Sequence, residues 1–191
     1  MKNCILVLLL LSMCVACSTV SVNTDFNPGY DFTQLKTYSW VTNGTAPSSD
    51  TRINNDLIID RVRSAVESNL AARGFVKVSG QATDFQVSWH GAIEKKLQVD
   101  TIDHFYSPYG YGSLYRDPFL VGGSTMRTST AREYEVGSII IDILDPIKHK
   151  LIWRGSGSKM LSSESNSEET TQRINEAVTA ILKDFPPVKK Y

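Results

Sequence analysis

The chain has 191 residues, of which 20 are Lys or Arg and 20 are Asp or Glu, so it is formally neutral with its three histidines uncharged. Neutrality excludes the basic field on which nucleic-acid binding rests, and a length of this order fits one domain whose core needs no staples. All three cysteines, Cys4, Cys14 and Cys17, fall near the start, so no disulfide can close within the rest of the chain.

The first residues read as a targeting segment. Lys2 gives a positive start, and Ile5 to Leu11 with Met13, Val15 and Ala16 make an apolar stretch of secretory length. A spanning helix needs about 20 apolar residues. Here the run stops at Cys17 and passes into Ser18, Thr19, Ser21, Asn23, Thr24 and Asp25, which would be costly to desolvate in lipid. Val15-Ala16-Cys17 resembles the end of a bacterial lipobox, although Cys14 stands where that box usually has Leu. Cys14 and Ala16 also satisfy ordinary secretory cleavage, and either cut starts the mature chain at Cys17. A lone N-terminal thiol on an exported chain is best accounted for if acylation consumes it, and two or more acyl chains make a stable anchor.

The expected organisation is a lipoprotein-type signal peptide over 1–16, a lipidated N-terminus leading into the first strand over 17–25, and one domain over 20–191. Ser18 follows the cysteine where inner-membrane retention would often place Asp. By resemblance to envelope sorting in enteric-type bacteria, that implies an outer-membrane lipoprotein facing the periplasm. Since Lys2 is the only charge before Cys17, the mature chain carries 19 basic and 20 acidic residues, with no polybasic run to add attraction for anionic lipid.

Beyond the anchor, Val20, Val22 and Phe26 alternate with polar residues and predict a first strand, broken by Asn27-Pro28-Gly29. Thr37 to Val41 predict a second, and Asn43 to Asp50 a loop. Ile53, Leu57, Ile58, Val62, Ala65, Val66 and Leu70 form one apolar stripe of a helix over about Thr51 to Arg73, with Asp50 as N-cap and Gly74 as C-cap. From Phe85 to Val99 the alternation is strict. A strand of that length would span on the order of 50 Å, so a bend is expected at Gly91.

Arg132 to Leu144 predict the next strand, with Ile139, Ile141 and Ile143 on one face. Asp145-Pro146 turns the chain into a returning strand through Leu151 and Trp153. Gly155 and Gly157 are expected to mark a bulge or the approach of another backbone. A last helix starts near Ser167, with Ser165 and Glu168 spaced as a capping box. It buries Ile174, Ala177, Val178, Ile181, Leu182 and Phe185, and Pro186-Pro187 stop it. The fold class is α+β in two layers: a mostly antiparallel sheet with two amphipathic helices on one face.

No constellation of residues points to a reaction. Gly110, Gly112 and Tyr115 lack the third glycine of a dinucleotide loop, and Gly155 to Lys159 match neither a phosphate loop nor a hydrolase elbow. His90, His104 and His149 are isolated. Asp142 and Asp145 are read as strand and turn residues rather than a catalytic pair. No catalytic, cofactor-binding or metal-binding residue is therefore assigned, and no cofactor is expected. The segment from Asp100 to Arg132 stands apart as a long connection in which Phe105, Tyr106, Tyr109, Tyr111, Tyr115 and Phe119 are interleaved with glycines and prolines. Tyrosines on such a backbone add contact area at low entropy cost, so Tyr106, Tyr109, Tyr111 and Tyr115 are the candidate contacts to a partner.

Lys36-Thr37-Tyr38-Ser39-Trp40, Leu70-Ala71-Ala72-Arg73-Gly74-Phe75, Ala82-Thr83-Asp84-Phe85-Gln86-Val87, Gly137 to Asp145, Leu151-Ile152-Trp153-Arg154-Gly155 and Leu182-Lys183-Asp184-Phe185-Pro186-Pro187 together resemble the domain-of-unknown-function family numbered 4136. The resemblance covers nearly all of the mature chain. It implies a bacterial lipoprotein with a glycine- and aromatic-rich insertion before the Gly137 strand, and carries over no reaction, cofactor or catalytic residue. The expected role is an envelope accessory or adaptor, held to the membrane by its N-terminal lipid and binding an envelope protein. The alternatives are a carrier of a small apolar or glycan ligand, with a pocket lined by Tyr106, Tyr109, Tyr111 and Trp89, and, third, an enzyme of unknown reaction.

Overall fold

The computed structural model describes residues 20–41, 48–79, 82–105, 125–162 and 166–188, and for 99–105 and 125–130 the backbone alone. The strands are β1 (Ser21–Phe26), β2 (Thr37–Trp40), β3 (Val76–Lys77), β4 (Phe85–Phe105), β5 (Thr125–Asp145) and β6 (Lys150–Met160). The helices are α1 (Asp56–Ala72) and α2 (Ser167–Leu182), and a 3-10 turn occupies Phe32–Gln34. The six strands form one sheet in the order β1-β6-β5-β4-β2-β3. Pairing is antiparallel for β1/β6, β4/β5 and β5/β6, and parallel where β2 meets β3 and β4. The α+β class holds.

Period-two patterning explains the floor of the core. Phe85, Val87 and Trp89 of β4 lie beside Ile141 and Ile143 of β5 and Trp153 of β6, all buried, and Val62, Val66 and Leu70 of α1 and Ile174, Val178 and Ile181 of α2 close over them in one cluster. Aromatic rings fill the end of this core near the helix C-termini. Phe185 lies 5.1 Å from Trp153 and 5.7 Å from Phe85, and Tyr38 stacks on Phe85 at 5.5 Å. Arg73 donates to the backbone carbonyls of Leu182 and Phe185, which ties the end of α1 to the end of α2.

Several local expectations are corrected. α1 begins at Asp56, not Thr51, because the Asn55 side chain accepts the Ile58 N–H as N-cap, while Asp50 instead accepts the Arg52 N–H in the preceding turn. Gly74 does follow the helix with φ of +88°, the left-handed geometry that favours glycine. The cap of α2 is Asn166, which accepts the Glu169 N–H, so the capping pair lies one residue beyond Ser165 and Glu168. Leu57 is not in the core: it is 68% exposed. Val22 and Phe26 are also partly exposed, at 37% and 40%, on β1, an edge strand with only β6 beside it.

β4 is not broken at Gly91. Its register with β5 runs without a shift from Gln86↔Leu144 to Phe105↔Thr125. Gly91 is small for another reason: a Cβ there would stand 2.9 Å from Ile53 Cγ2. Gly155 and Gly157 mark no bulge either. A Cβ on Gly155 would fall 2.6 Å from Ile181 and 2.3 Å from the Trp153 ring, so these positions admit α2 side chains rather than another backbone. The irregularity lies between Ile143 and Leu144, opposite an extra Ile152, which lets both Ile152 and Trp153 be buried. The Asp145-Pro146 turn is as read: Asp145 accepts the Ile147 and Lys148 N–H groups at 2.9 and 2.8 Å.

Candidate functional site

Two features rise from this frame. The first is a ribbon. The pairing of β5 with β6 ends at Val136↔Met160, with the Leu161 N–H still donating to the Glu135 carbonyl, yet β4 and β5 stay paired for ten positions beyond Glu135, from Lys96↔Tyr134 to Phe105↔Thr125. At about 3.3 Å per residue that is roughly 30 Å of two-stranded sheet. Among the described residues no other strand pairs with it on either side. The connection expected over Asp100 to Arg132 is thus corrected: 100–105 and 125–132 are strand, because the pairing begun by the alternating segments propagates past Val99 and Arg132. Lys95 and Glu133 pair at 3.1 Å near its base, and Leu97 is 72% exposed beside them. Arg52 anchors the base, holding Asp50 at 2.8 Å and Glu135 at 3.0 Å, and its hydrogen bond keeps the Asp50 carboxyl below the usual range.

The second is a cleft of about 430 Å³ between the first turns of both helices, the middle of β4 and β5 and the C-terminal end of β6. Register explains its depth. Gly91 pairs with Ile139, and Ile139 with Gly157; one row further, Ile93 pairs with Gly137, and Gly137 with Lys159. Glycine in these rows keeps the floor low where the helices pass over it. Trp89, Ile93, Ile139, Leu57, Ile58 and Met160 give an apolar lining, and Arg52, Arg61, Lys159 and Arg173 are the charged groups on it; among the described residues no carboxylate lines it.

The helices run parallel, as the pairs Arg61/Ser167 and Asn69/Thr179 show, so both N-terminal turns stand at this cleft. Arg61 donates to the Ser167 hydroxyl at 2.7 Å. Lys159 meets Glu176 at 3.2 Å, and Arg173 donates to Ser162 at 2.6 Å with Glu169 at 3.8 Å.

The expected sites fare unequally. Cys17, Tyr106, Tyr109, Tyr111 and Tyr115 lie outside the described residues. Trp89, the fourth member of the expected pocket, does line the cleft. Asp142 and Asp145 are separate in role as well as place: Asp142 accepts two bonds from Arg154, at 2.6 and 2.7 Å, and Asp145 belongs to its turn. The cations of the cleft escaped the sequence reading. The signal was the spacing Leu57-Ile58-Arg61-Val62 on α1 and Thr170-Arg173-Ile174-Ala177 on α2, which sets basic groups at the border of each apolar stripe. Among the described residues no group of three His, Cys, Asp or Glu is placed to hold a metal ion, and no helix is long and apolar enough to cross a membrane.

The family profile described as Domain of unknown function (DUF4136) matches residues 22–187. No curated protein sequence matches the chain. Among solved structures, the chain is similar to a crystal structure of a PDZ domain protein from Parabacteroides distasonis, with 13% identity and a TM-score of 0.56 over 90% of this chain and 36% of that one. It therefore spans about a third of that protein's length, and the likeness is one of fold alone. A PelC dodecamer from Paraburkholderia phytofirmans superposes more loosely, with 12% identity and a TM-score of 0.47 over 89% of this chain and 99% of that one.

Proposed function

The chain belongs to the DUF4136 family, and on that premise we propose that it is a membrane-anchored envelope lipoprotein acting as an accessory or adaptor module. It is acylated at Cys17 and engages an envelope protein through the β4/β5 ribbon and the tyrosine-bearing segment that the ribbon carries. The observation that supports this reading is the ribbon itself. Ten residue pairs with no third strand beside them among the described residues leave main-chain donors and acceptors open, and an open strand edge is the surface to which another chain adds by β-augmentation. Charged residues such as Lys95, Lys96, Glu133 and Glu135 guard it against indiscriminate pairing. Exposed Leu97 supplies an apolar point for a specific partner.

The test removes the ribbon and keeps the core. Joining Lys96 to Tyr134, which face each other in the register, through Asn-Gly should leave the unfolding midpoint unchanged and abolish the partner captured by the intact protein in living cells. Retention of that partner overturns the ribbon as its contact. The cleft favours a second reading, a carrier of a small apolar ligand, since its volume lies in the range of about 300–1,000 Å³ common to ligand sites.

A further inference from the structure

We infer that the cleft between the helix N-termini and the sheet binds a free long-chain carboxylate, its tail on the apolar floor and its head group on Arg61. This deepens the carrier reading and is independent of the ribbon. Three observations converge on that chemistry. The first is charge: among the described residues the lining holds four cations and no carboxylate. Three of those cations already meet acidic partners, whereas Arg61 has only the neutral Ser167 hydroxyl among the described residues. A guanidinium presents a planar fork of donors matched to a carboxylate, and such charge-assisted bonds are the strong ones.

The second observation is unspent apolar surface. Leu57 lies on the stripe of α1 that should face the core, and Met160 ends β6, yet they are 68% and 56% exposed, and both line the cleft. An aliphatic tail along Trp89, Ile93 and Ile139 would cover them. The third is size. A cavity of about 430 Å³ is at the small end of ligand sites, which suits one chain rather than a two-chain lipid.

The experiment uses the Cys17→Ser chain, prepared without detergent and delipidated so that no other amphiphile competes. Dansyl-undecanoate fluorescence should rise and saturate at one equivalent per chain. Dodecanoate should displace the probe at least about ten-fold better than dodecanol, and from octanoate to dodecanoate each added methylene should tighten binding by about three- to four-fold. Arg61→Gln should erase the preference for carboxylate over alcohol and leave dodecanol binding unchanged. Thr170→Trp, adding bulk from the first turn of α2, should weaken both at an unchanged unfolding midpoint.

Absence of saturable binding overturns the inference. So does equal displacement by dodecanoate and dodecanol, or an Arg61→Gln chain that keeps the preference. Displacement by lysophosphatidylglycerol alone would assign the cleft to a lipid head group instead, and a concentration-dependent dimer that buries position 57 would assign it to a second copy. Because truncating the ribbon leaves the cleft in place, failure here and failure of the adaptor reading are separable.

Discussion

Ile141 and Leu57 have the same kind of side chain in sequence terms, each an aliphatic residue on the apolar side of a periodic element, and they end in opposite surroundings. Ile141 is fully buried in the core cluster to which both helices contribute, while Leu57 stands largely in solvent on the wall of the cleft. Periodicity reports which side of an element faces inward; it cannot report where the opposing layer ends. Ile141→Ala should therefore cost about 2–5 kcal/mol, and Leu57→Ala should stay within about 0.5 kcal/mol of wild type, both by urea denaturation. Equal losses would place the two residues in the same layer.

Carboxylates follow the same logic. Asp84 accepts the Thr37 N–H at 2.7 Å, the Thr37 hydroxyl at 2.8 Å and the Lys36 N–H at 3.0 Å, which together hold its carboxyl below the usual range. The Lys148 N–H does the same for Asp145, with help from that of Ile147. A depressed folded pKa means stability that is complete above the unfolded value of about 3.9 and is lost as the pH falls through the folded value. Unfolding midpoints should accordingly drop below about pH 4, and Asp84→Asn, already weaker at neutral pH, should show the smaller drop. An undiminished acid response in that variant would remove Asp84 from the account.

Among the elements, the most legible were those with many alternations. The face of β4 from Phe85 to Trp89 and that of β5 around Ile139 to Ile143 could be read residue by residue, because a one-residue slip would turn every side chain to the wrong side. Two things hid from the same pattern. Gly91, Gly155 and Gly157 looked like backbone irregularities, yet their cause is the side chain lying across each of them, Ile53 or Ile181, far away in sequence. The extension of β4 and β5 into a ribbon also hid, since residues beyond Val99 lose the alternation that a buried face imposes while the ladder of hydrogen bonds continues.

A two-stranded ribbon is marginal without a packed face, so its amides should exchange far faster than those at the core. Hydrogen exchange should be fast from Lys96 to Phe105 and from Thr125 to Tyr134, and slow from Val87 to Ile93 and from Ile139 to Ile143. Uniform protection along β4 would mean that something else covers the ribbon.

For the molecule as a whole, the layer arrangement followed from two amphipathic helices and a set of alternating strands, while the sheet order did not. β1 and β2 are neighbours in sequence and lie at opposite sides of the sheet, with β6, β5 and β4 between them. What sends them apart is the segment through the buried Phe32 and Leu35; its apolar residues are too few to show a period. The proposed anchor rests on Cys17, and intact mass of membrane-extracted protein should show acylation at a chain beginning there, with Cys17→Ser released from the membrane fraction. An unmodified N-terminal cysteine would leave a secreted protein without a tether.

The central claim is that a lipid-tethered domain meets its partner through the ribbon, and a photoreactive amino acid at Leu97 in living cells tests it most directly. The account predicts one discrete crosslinked product from position 97, none from the exposed Val76 on the far edge strand, and loss of the product when Cys17→Ser removes the tether. No product from position 97 in a stably folded, membrane-bound chain, or the same product from Val76, would contradict it.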